Sequence, residues 1–364
     1  MQIVAEIGVN HNGDIGLGKR LICAAAESGA DAVKTQLFVT EKLVTADAQK
    51  AGYQQQTTGG GKSQLEMLKQ LELSVEQYAT LNEYAKSLGV TLFAAPFDID
   101  SVRALGRLGC PIIKIPSGEI TNLPYLREVA LLGKEIYLST GMSSMDEVVA
   151  AVSIINGQSA TPAPGLLTCG APGPGQAPVD GIAGPERTPA ARLTLLHCHT
   201  QYPTDFSDAN LLAMATMRDM TGLPVGYSDH TPGIEAPVAA VALGAVVIEK
   251  HLTIDKTLPG PDHQASLEPG EFARMVRAIR NVERALGDGI KKATLSETEN
   301  IVIARKSIVA ARRIKRGEVI SEDMLAAKRP GGGISPMRWH EVIGATAARD
   351  FEIDDKIILP SECK

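Results

Sequence analysis

Short β-branched runs alternate with amphipathic segments along most of this chain, and no other feature restricts its fold so strongly. The strand candidates are QIVAEIGV (2–9), DAVKTQLF (31–38), VTLFAAPF (90–97), PIIKIPS (111–117), EIYLST (135–140), LTLLHCH (193–199), PVGYSD (224–229) and VVIEKHL (246–252). Segments such as GLGKRLICAAAESGA, QYATLNEYAKSLG and EFARMVRAIRNVERALGDG lie between them, and glycine often follows as a helix stop. Strands this apolar need cover on both faces, which helices of a parallel sheet supply. Eight such units predict a closed (β/α)8 TIM barrel.

Two intervals exceed a simple unit. Residues 39–76 contain YQQQTTGGGKSQ and predict a loop covering the substrate. Residues 157–192 are rich in Gly, Pro and Ala and predict a surface insertion. The barrel is expected over 1–286 and a linker over 287–303. A small β-rich domain follows at 304–364, where RRIKRGEVI (312–320) and RDFEIDDKII (349–358) read as two versions of one turn-bearing unit.

Bulk chemistry excludes several classes of partner. A net charge of −6 provides no general attraction for nucleic acid or an anionic membrane surface. The five cysteines are scattered without a CxxC pair, which argues for a reducing compartment. The N-terminus lacks a basic leader, and no run nears the roughly 18 apolar residues of a membrane span. A cytoplasmic protein is expected.

In a parallel barrel, functional groups collect where strands end. Here those ends offer Glu6, Lys34, Gln36, Asp98, Lys114, Ser117, Glu119, His197, His199, Thr200, Tyr202, Ser228, His230, Glu249 and His251. His230 and His251 end neighbouring strands and are either two halves of one open metal site or two strand caps. His199 and His263 are competing ligands. Lys34 and Lys114 lie inside apolar strands and must find partners or face the barrel mouth. With Ser117 and Ser228 they form a cradle for a phosphate or carboxylate. Lys250 should face away from His251 by alternation. Glu119, two residues after Ser117, is expected on the same side. Near two lysines its pKa should fall, leaving an ionised base.

These motifs together resemble the sialic acid synthase family of nonulosonate synthases. AEIGVNHNGD, KTQLF, KIPSGEITNLPYL, LSTGM, GYSDHT, EKHLT, GPDHQASLEP and KRPGGGI carry the resemblance from residue 2 to about 360, omitting 157–192. The C-terminal domain is similar to the antifreeze-like (SAF) domain of those enzymes. The resemblance implies condensation of phosphoenolpyruvate with an N-acetylated manno-hexosamine, releasing phosphate and making a nine-carbon 2-keto sugar acid. It implies that His230 and His251 bind a divalent metal, commonly Mn2+, with Mg2+ or Co2+ as alternatives. Lys34, Lys114, Ser117, Ser228 and Thr200 would hold phosphoenolpyruvate, and Glu119 would activate water. Glu6, Gln36, Thr57, Tyr202 and Asp262 match positions on the sugar side. A domain-swapped homodimer is also implied, with Arg329 reaching the partner's site.

Three positions depart from the N-acetylneuraminate-forming pattern: Ala95 for a threonine, Thr57 for an asparagine, and His199-Thr200 for a Thr-Asn pair. The combination resembles the N,N′-diacetyllegionaminate synthase branch, whose substrate is 2,4-diacetamido-2,4,6-trideoxymannose. N-acetylneuraminate synthase is the alternative, followed by pseudaminate synthase. Outside the family, a Schiff-base aldolase using Lys34 or Lys114, a non-catalytic glycan-binding protein and a metal-dependent hydrolase are rival classes.

Overall fold

In the computed structural model the described residues are 1–59, 63–157 and 192–359. The expected barrel is present. Eight parallel strands close in sequence order: β1 Gln2–Gly8, β2 Ala32–Leu37, β3 Thr91–Pro96, β4 Ile112–Ile115, β5 Glu135–Ser139, β6 Leu193–Cys198, β7 Val225–Asp229 and β8 Val247–His251. Closure between β1 and β8 pairs Glu6 with His251, and β1 pairs Glu6 with Lys34 of β2. Register alone therefore gathers three of the expected polar residues at one end of the barrel.

Local chemistry starts several of the helices. Asp14 Oδ1 accepts the amides of Gly16 and Leu17, opening the helix Ile15–Glu27. Ser74 with Gln77, and Ser144 with Glu147, form capping boxes. Asp98 has the same role and is not a site residue. Its carboxylate accepts from Ser101 N at 2.9 Å, Ser101 Oγ at 2.7 Å and Val39 N at 2.8 Å. Each contact satisfies a donor that has no other partner at a helix start.

The strand side chains build a continuous core with the surrounding helices. Near the strand starts, Phe93 and Tyr137 meet edge-on at 5.8 Å, and the Tyr137 hydroxyl bonds Gln2. A second, smaller apolar cluster lies over the other end, where Val9, Phe38, Met67, Leu68 and Leu71 pack with Leu43, Val44 and Phe97. On the outer face, Lys250 and Asp229 form a fully buried ion pair at 2.5 Å, and Thr231 donates twice to Asp229. Lys250 thus faces away from the barrel interior, as alternation requires, and ties the end of β7 to β8.

The segment after β2 holds three short helices, Thr40–Leu43, Gly52–Thr58 and Gln64–Lys69. The other long interval lies almost wholly outside the described residues. Its flanks, Gly157 after a helix and Arg192 before β6, lie on the side where strands begin.

The chain divides into Met1–Gly287 and Asp288–Lys364. Residues read as a linker carry a helix, Thr298–Ala304, within the second unit. That unit is β-rich: β9 Ser307–Ala310 pairs antiparallel with β10 Leu325–Lys328, and isolated bridges join Ile314 to Phe351 and Val319 to Thr346. The two turn-bearing segments recognised in the sequence therefore face each other. Ile308, Ile314, Val342, Phe351 and Ile357 are among its core.

Gly226 in β7 has no room for a side chain. A Cβ there would stand 2.5 Å from the Val247 carbonyl oxygen and 2.7 Å from Leu196 Cδ2. The backbone oxygen cannot swing aside, so strands must separate. Gly226→Ala is expected to cost about 1–3 kcal/mol and to lower the barrel's Tm by roughly 2–10 °C. An unchanged calorimetric Tm would show that the barrel has slack at this position.

Candidate active site

A cavity of about 300 Å³ opens at the C-terminal ends of the barrel strands. Its deepest polar feature is a buried carboxylate held by two lysines. Glu249 Oε1 accepts from Lys34 Nζ at 2.8 Å and from Ser228 Oγ at 3.0 Å, while Lys114 Nζ lies 2.8 Å from both carboxylate oxygens. Lys34 also stands 2.6 Å from Glu6 Oε2. Glu6 Oε1 is buried without a hydrogen-bond partner.

Burial dominates the protonation of this group, and the pairing redirects it. Burial works to raise the Glu249 pKa, but Lys114 and Lys34 outweigh it and hold the carboxyl far below its ordinary range. Burial pulls the Lys34 ammonium down, opposed by Glu249 and reinforced by Lys114. Two ammonium groups so close to each other remain in a dry site only because carboxylates compensate them. An anionic ligand would add to that compensation.

The two histidines converge as the sequence suggested. Their ring centroids are 5.3 Å apart, and both rings are buried. His230 Nδ1 bonds the His199 carbonyl, which assigns Nδ1 the proton and leaves the Nε2 lone pair free. Burial lowers the His230 pKa to about 4 and that of His251 well below the usual value, so both imidazoles are neutral donors. His251 Nδ1 has no hydrogen-bond partner and faces Asp262 Oδ2 at 3.8 Å. Burial raises the Asp262 pKa to about 6. Among the described residues no three or more His, Cys, Asp or Glu gather at ligating distances. The donor set fits an ion held by two nitrogens, with its remaining positions left to oxygen ligands.

The competing histidines, His199 and His263, do not border this cavity. The His199 ring accepts from Gln201 N within its own loop, and His263 Nδ1 pairs with Thr253 Oγ1 at 2.7 Å. His197 Nε2 bonds the Ala209 carbonyl.

Tyr202 packs on His230 at 4.0 Å between centroids, and Tyr53 stacks on Tyr202 at 5.0 Å. Gln36, Ala95, Ser117 and Thr200 also border the cavity. Gly141 keeps the space beside Ser117 and Thr200 open: a Cβ there would stand 2.6 Å from Thr200 Cγ2 and 2.9 Å from Ser117 Oγ.

Three expected residues are not brought together with these. Ser117–Glu119 is a 3₁₀ turn after Pro116, so the two side chains do not share a side as they would in an extended strand. Glu119 instead accepts from Asn122 Nδ2 at 2.6 Å. Half-burial and the charge of Asp98 raise its pKa despite that bond, because both lysines are committed to Glu249. The expected fall is therefore reversed. Thr57 does not border this cavity, and its hydroxyl donates back to the Tyr53 carbonyl at 3.0 Å. Arg329 is exposed on the second unit. Glu249, a strand-end carboxylate two residues before His251, turns out to be the partner of both lysines; Tyr53 borders the cavity without a signal in the sequence, because its place depends on how a long segment folds back.

Comparison with known proteins identifies the family. The NeuB family model matches residues 21–291 and the SAF domain model residues 305–357. The N,N′-diacetyllegionaminic acid synthase of Campylobacter jejuni subsp. jejuni serotype O:2 is 46% identical over 355 residues, covering 98% of each chain. The N,N′-diacetyllegionaminic acid synthase of Legionella pneumophila subsp. pneumophila is 43% identical, covering 94% of this chain and 89% of its own. The crystal structure of N-acetylneuraminic acid (sialic acid) synthetase from Leptospira borgpetersenii serovar Hardjo-bovis in complex with citrate superposes with a TM-score of 0.66. It is 32% identical and covers 83% of this chain and 90% of that one. With a matching barrel, a matching C-terminal domain and near-complete coverage, this chain belongs to the NeuB family.

Proposed function

We propose that this enzyme condenses phosphoenolpyruvate with open-chain 2,4-diacetamido-2,4,6-trideoxymannose, releasing phosphate and forming N,N′-diacetyllegionaminate. The observation that carries this reading is the 46% and 43% identity to two synthases of that name across nearly the whole chain. N-acetylmannosamine is the second candidate sugar, supported by the Leptospira structure. Thr57 is not among the residues that border the cavity, so the choice of sugar does not rest on it.

The chemistry follows from what the cleft presents. Lys34, Lys114, Ser117, Ser228 and Thr200 receive the carboxylate and phosphate of phosphoenolpyruvate. Binding there fixes C3 of the enol near the sugar and turns a bimolecular encounter into a positioned one. His230 and His251 would hold a divalent ion, Mn2+ first and Mg2+ or Co2+ otherwise, which when bound supplies Lewis acidity to the sugar aldehyde. Glu6, Gln36, Tyr202 and Asp262 border the same space and orient the sugar. C3 bonds the aldehyde carbon, water adds at C2, and the C2–O bond breaks as phosphate leaves. Glu119, a half-buried carboxyl of raised pKa that follows the cavity-lining Ser117 and Gly118, takes the proton from that water after leaving Asn122. A cytoplasmic location follows from the substrate, an intracellular metabolite. No described helix is long and apolar enough to cross a membrane.

The reading extends to a domain-swapped homodimer in which exposed Arg329 serves the partner's cleft. Its support is the family resemblance of KRPGGGI.

Phosphoenolpyruvate labelled with 18O in the bridging position should give labelled phosphate. Label retained in the sugar acid would contradict C–O cleavage. Glu119→Gln should lower kcat by about 10²-fold or more while phosphoenolpyruvate binding persists; near-normal turnover would transfer the role to another carboxylate, with Glu6 next. Arg329→Ala should raise KM for the sugar. Mixing inactive His230→Ala with Arg329→Ala should restore activity as subunits exchange, and verified exchange without recovery would exclude action in trans.

A further inference from the structure

The two converging histidines share a support that lies behind them, on the outer side of the barrel. Asp229 and Lys250 face each other across the β7–β8 ladder, and His230 and His251 are the next residues on those strands. Lys250 Nζ donates to Asp229 Oδ2 at 2.5 Å and also to the Thr231 carbonyl. Asp229 accepts in turn from Thr231 N at 3.0 Å and from Thr231 Oγ1 at 3.1 Å. The residues on either side of His230 are thus tied to each other and to the residue before His251. Asp229, Thr231 and Lys250 are all buried, and none of them borders the cavity.

Holding two strands together does not require such a cluster. Desolvating both charges offsets much of their attraction, and apolar side chains of similar volume often serve stability as well or better. What the ammonium adds is direction. Its donors reach a carboxylate and a backbone carbonyl at once, which fixes the short arch of chain that carries His230. The arch is held from elsewhere too: Thr204 N donates to the His230 carbonyl at 2.8 Å, and His230 Nδ1 donates to the His199 carbonyl. Lys250 is continuous with His251 in β8, so its contacts set the backbone of one histidine against that of the other. Their ring centroids stand 5.3 Å apart. An ion held by only two side chains depends closely on that spacing, because functional groups must be kept within about 0.5 Å of the productive geometry.

We infer that Lys250 and Asp229, with Thr231, are positioning residues that set the spacing of His230 and His251 and thereby the affinity of this pair for a divalent ion. This rests on the reading of the two histidines as ion ligands given above. Because the clamp touches no part of the cavity, phosphoenolpyruvate binding in EDTA should not depend on it.

The test measures Mn2+ binding to the substrate-free enzyme by electron paramagnetic resonance, alongside Tm. Asp229→Leu/Lys250→Met replaces the pair with apolar side chains and leaves no lone buried charge. It is expected to stay folded with a Tm near that of wild type, and to raise the Mn2+ Kd by about tenfold or more, as loss of a group that orients a metal ligand does. Thr231→Val keeps the side-chain outline and the ion pair but removes one donor to Asp229. It should raise the Kd in the same direction by a smaller factor, and it decides the matter if the double variant does not fold. His230→Ala is the control and should abolish Mn2+ binding. Folded variants that bind Mn2+ as tightly as wild type, with binding still lost in His230→Ala, overturn the clamp and leave the ion site standing. A lower Tm with an unchanged Kd, the mark of a purely structural role, overturns it as well. Failure of wild type to bind Mn2+ overturns the ion site and the clamp together.

Discussion

Everything in the cleft depends on the buried pairing of Glu249 with Lys34 and Lys114. Two lysines inside an apolar barrel would repel each other and carry a large desolvation cost; Glu249 between them, with Glu6 beside Lys34, makes both tolerable. The arrangement keeps two ammonium groups at the base of the cavity in a formally neutral, buried cluster with Glu249 and Glu6. A doubly anionic ligand can then share or replace contacts that Glu249 makes in its absence. The same pairing explains why Glu119 is left with Asn122 and Asp98 as its electrostatic neighbours.

Around that centre, each element has a separable task. The buried Lys250–Asp229 pair and Thr231 shape the turn from which His230 projects, although none of the three borders the cavity. The His199 carbonyl assigns the His230 tautomer, leaving its other nitrogen to a ligand. The segment after β2 covers the charged site with apolar side chains and an aromatic stack. A low-dielectric cover strengthens each charge interaction beneath it.

The barrel was legible because its signal is repeated: eight apolar strands alternating with amphipathic helices have one simple closed solution. Alternation also predicted which way Lys250 points and that Lys34 and Lys114 need partners. It failed at Glu119, where Pro116 ends the strand and the chain turns, so a two-residue spacing no longer implies a shared side. The partner of the lysines was in view as a strand-end carboxylate, but its choice among Glu119, Glu249 and Glu6 depends on barrel closure. Thr57 and Tyr53 are four residues apart on one short helix, and it is Tyr53, stacked on Tyr202, that borders the cavity. Long connections carry little periodic signal, which is why the sugar end of the site was the least readable part.

The most direct test of the central claim is phosphate release from phosphoenolpyruvate with 2,4-diacetamido-2,4,6-trideoxymannose or N-acetylmannosamine, each with Mn2+ or with EDTA. The account predicts chelator-sensitive release that is faster with the diacetamido sugar, together with a 2-keto acid of the summed carbon count. Release that proceeds equally in EDTA would contradict the role given to His230 and His251. No release with either sugar, with metal supplied, would contradict the assigned reaction.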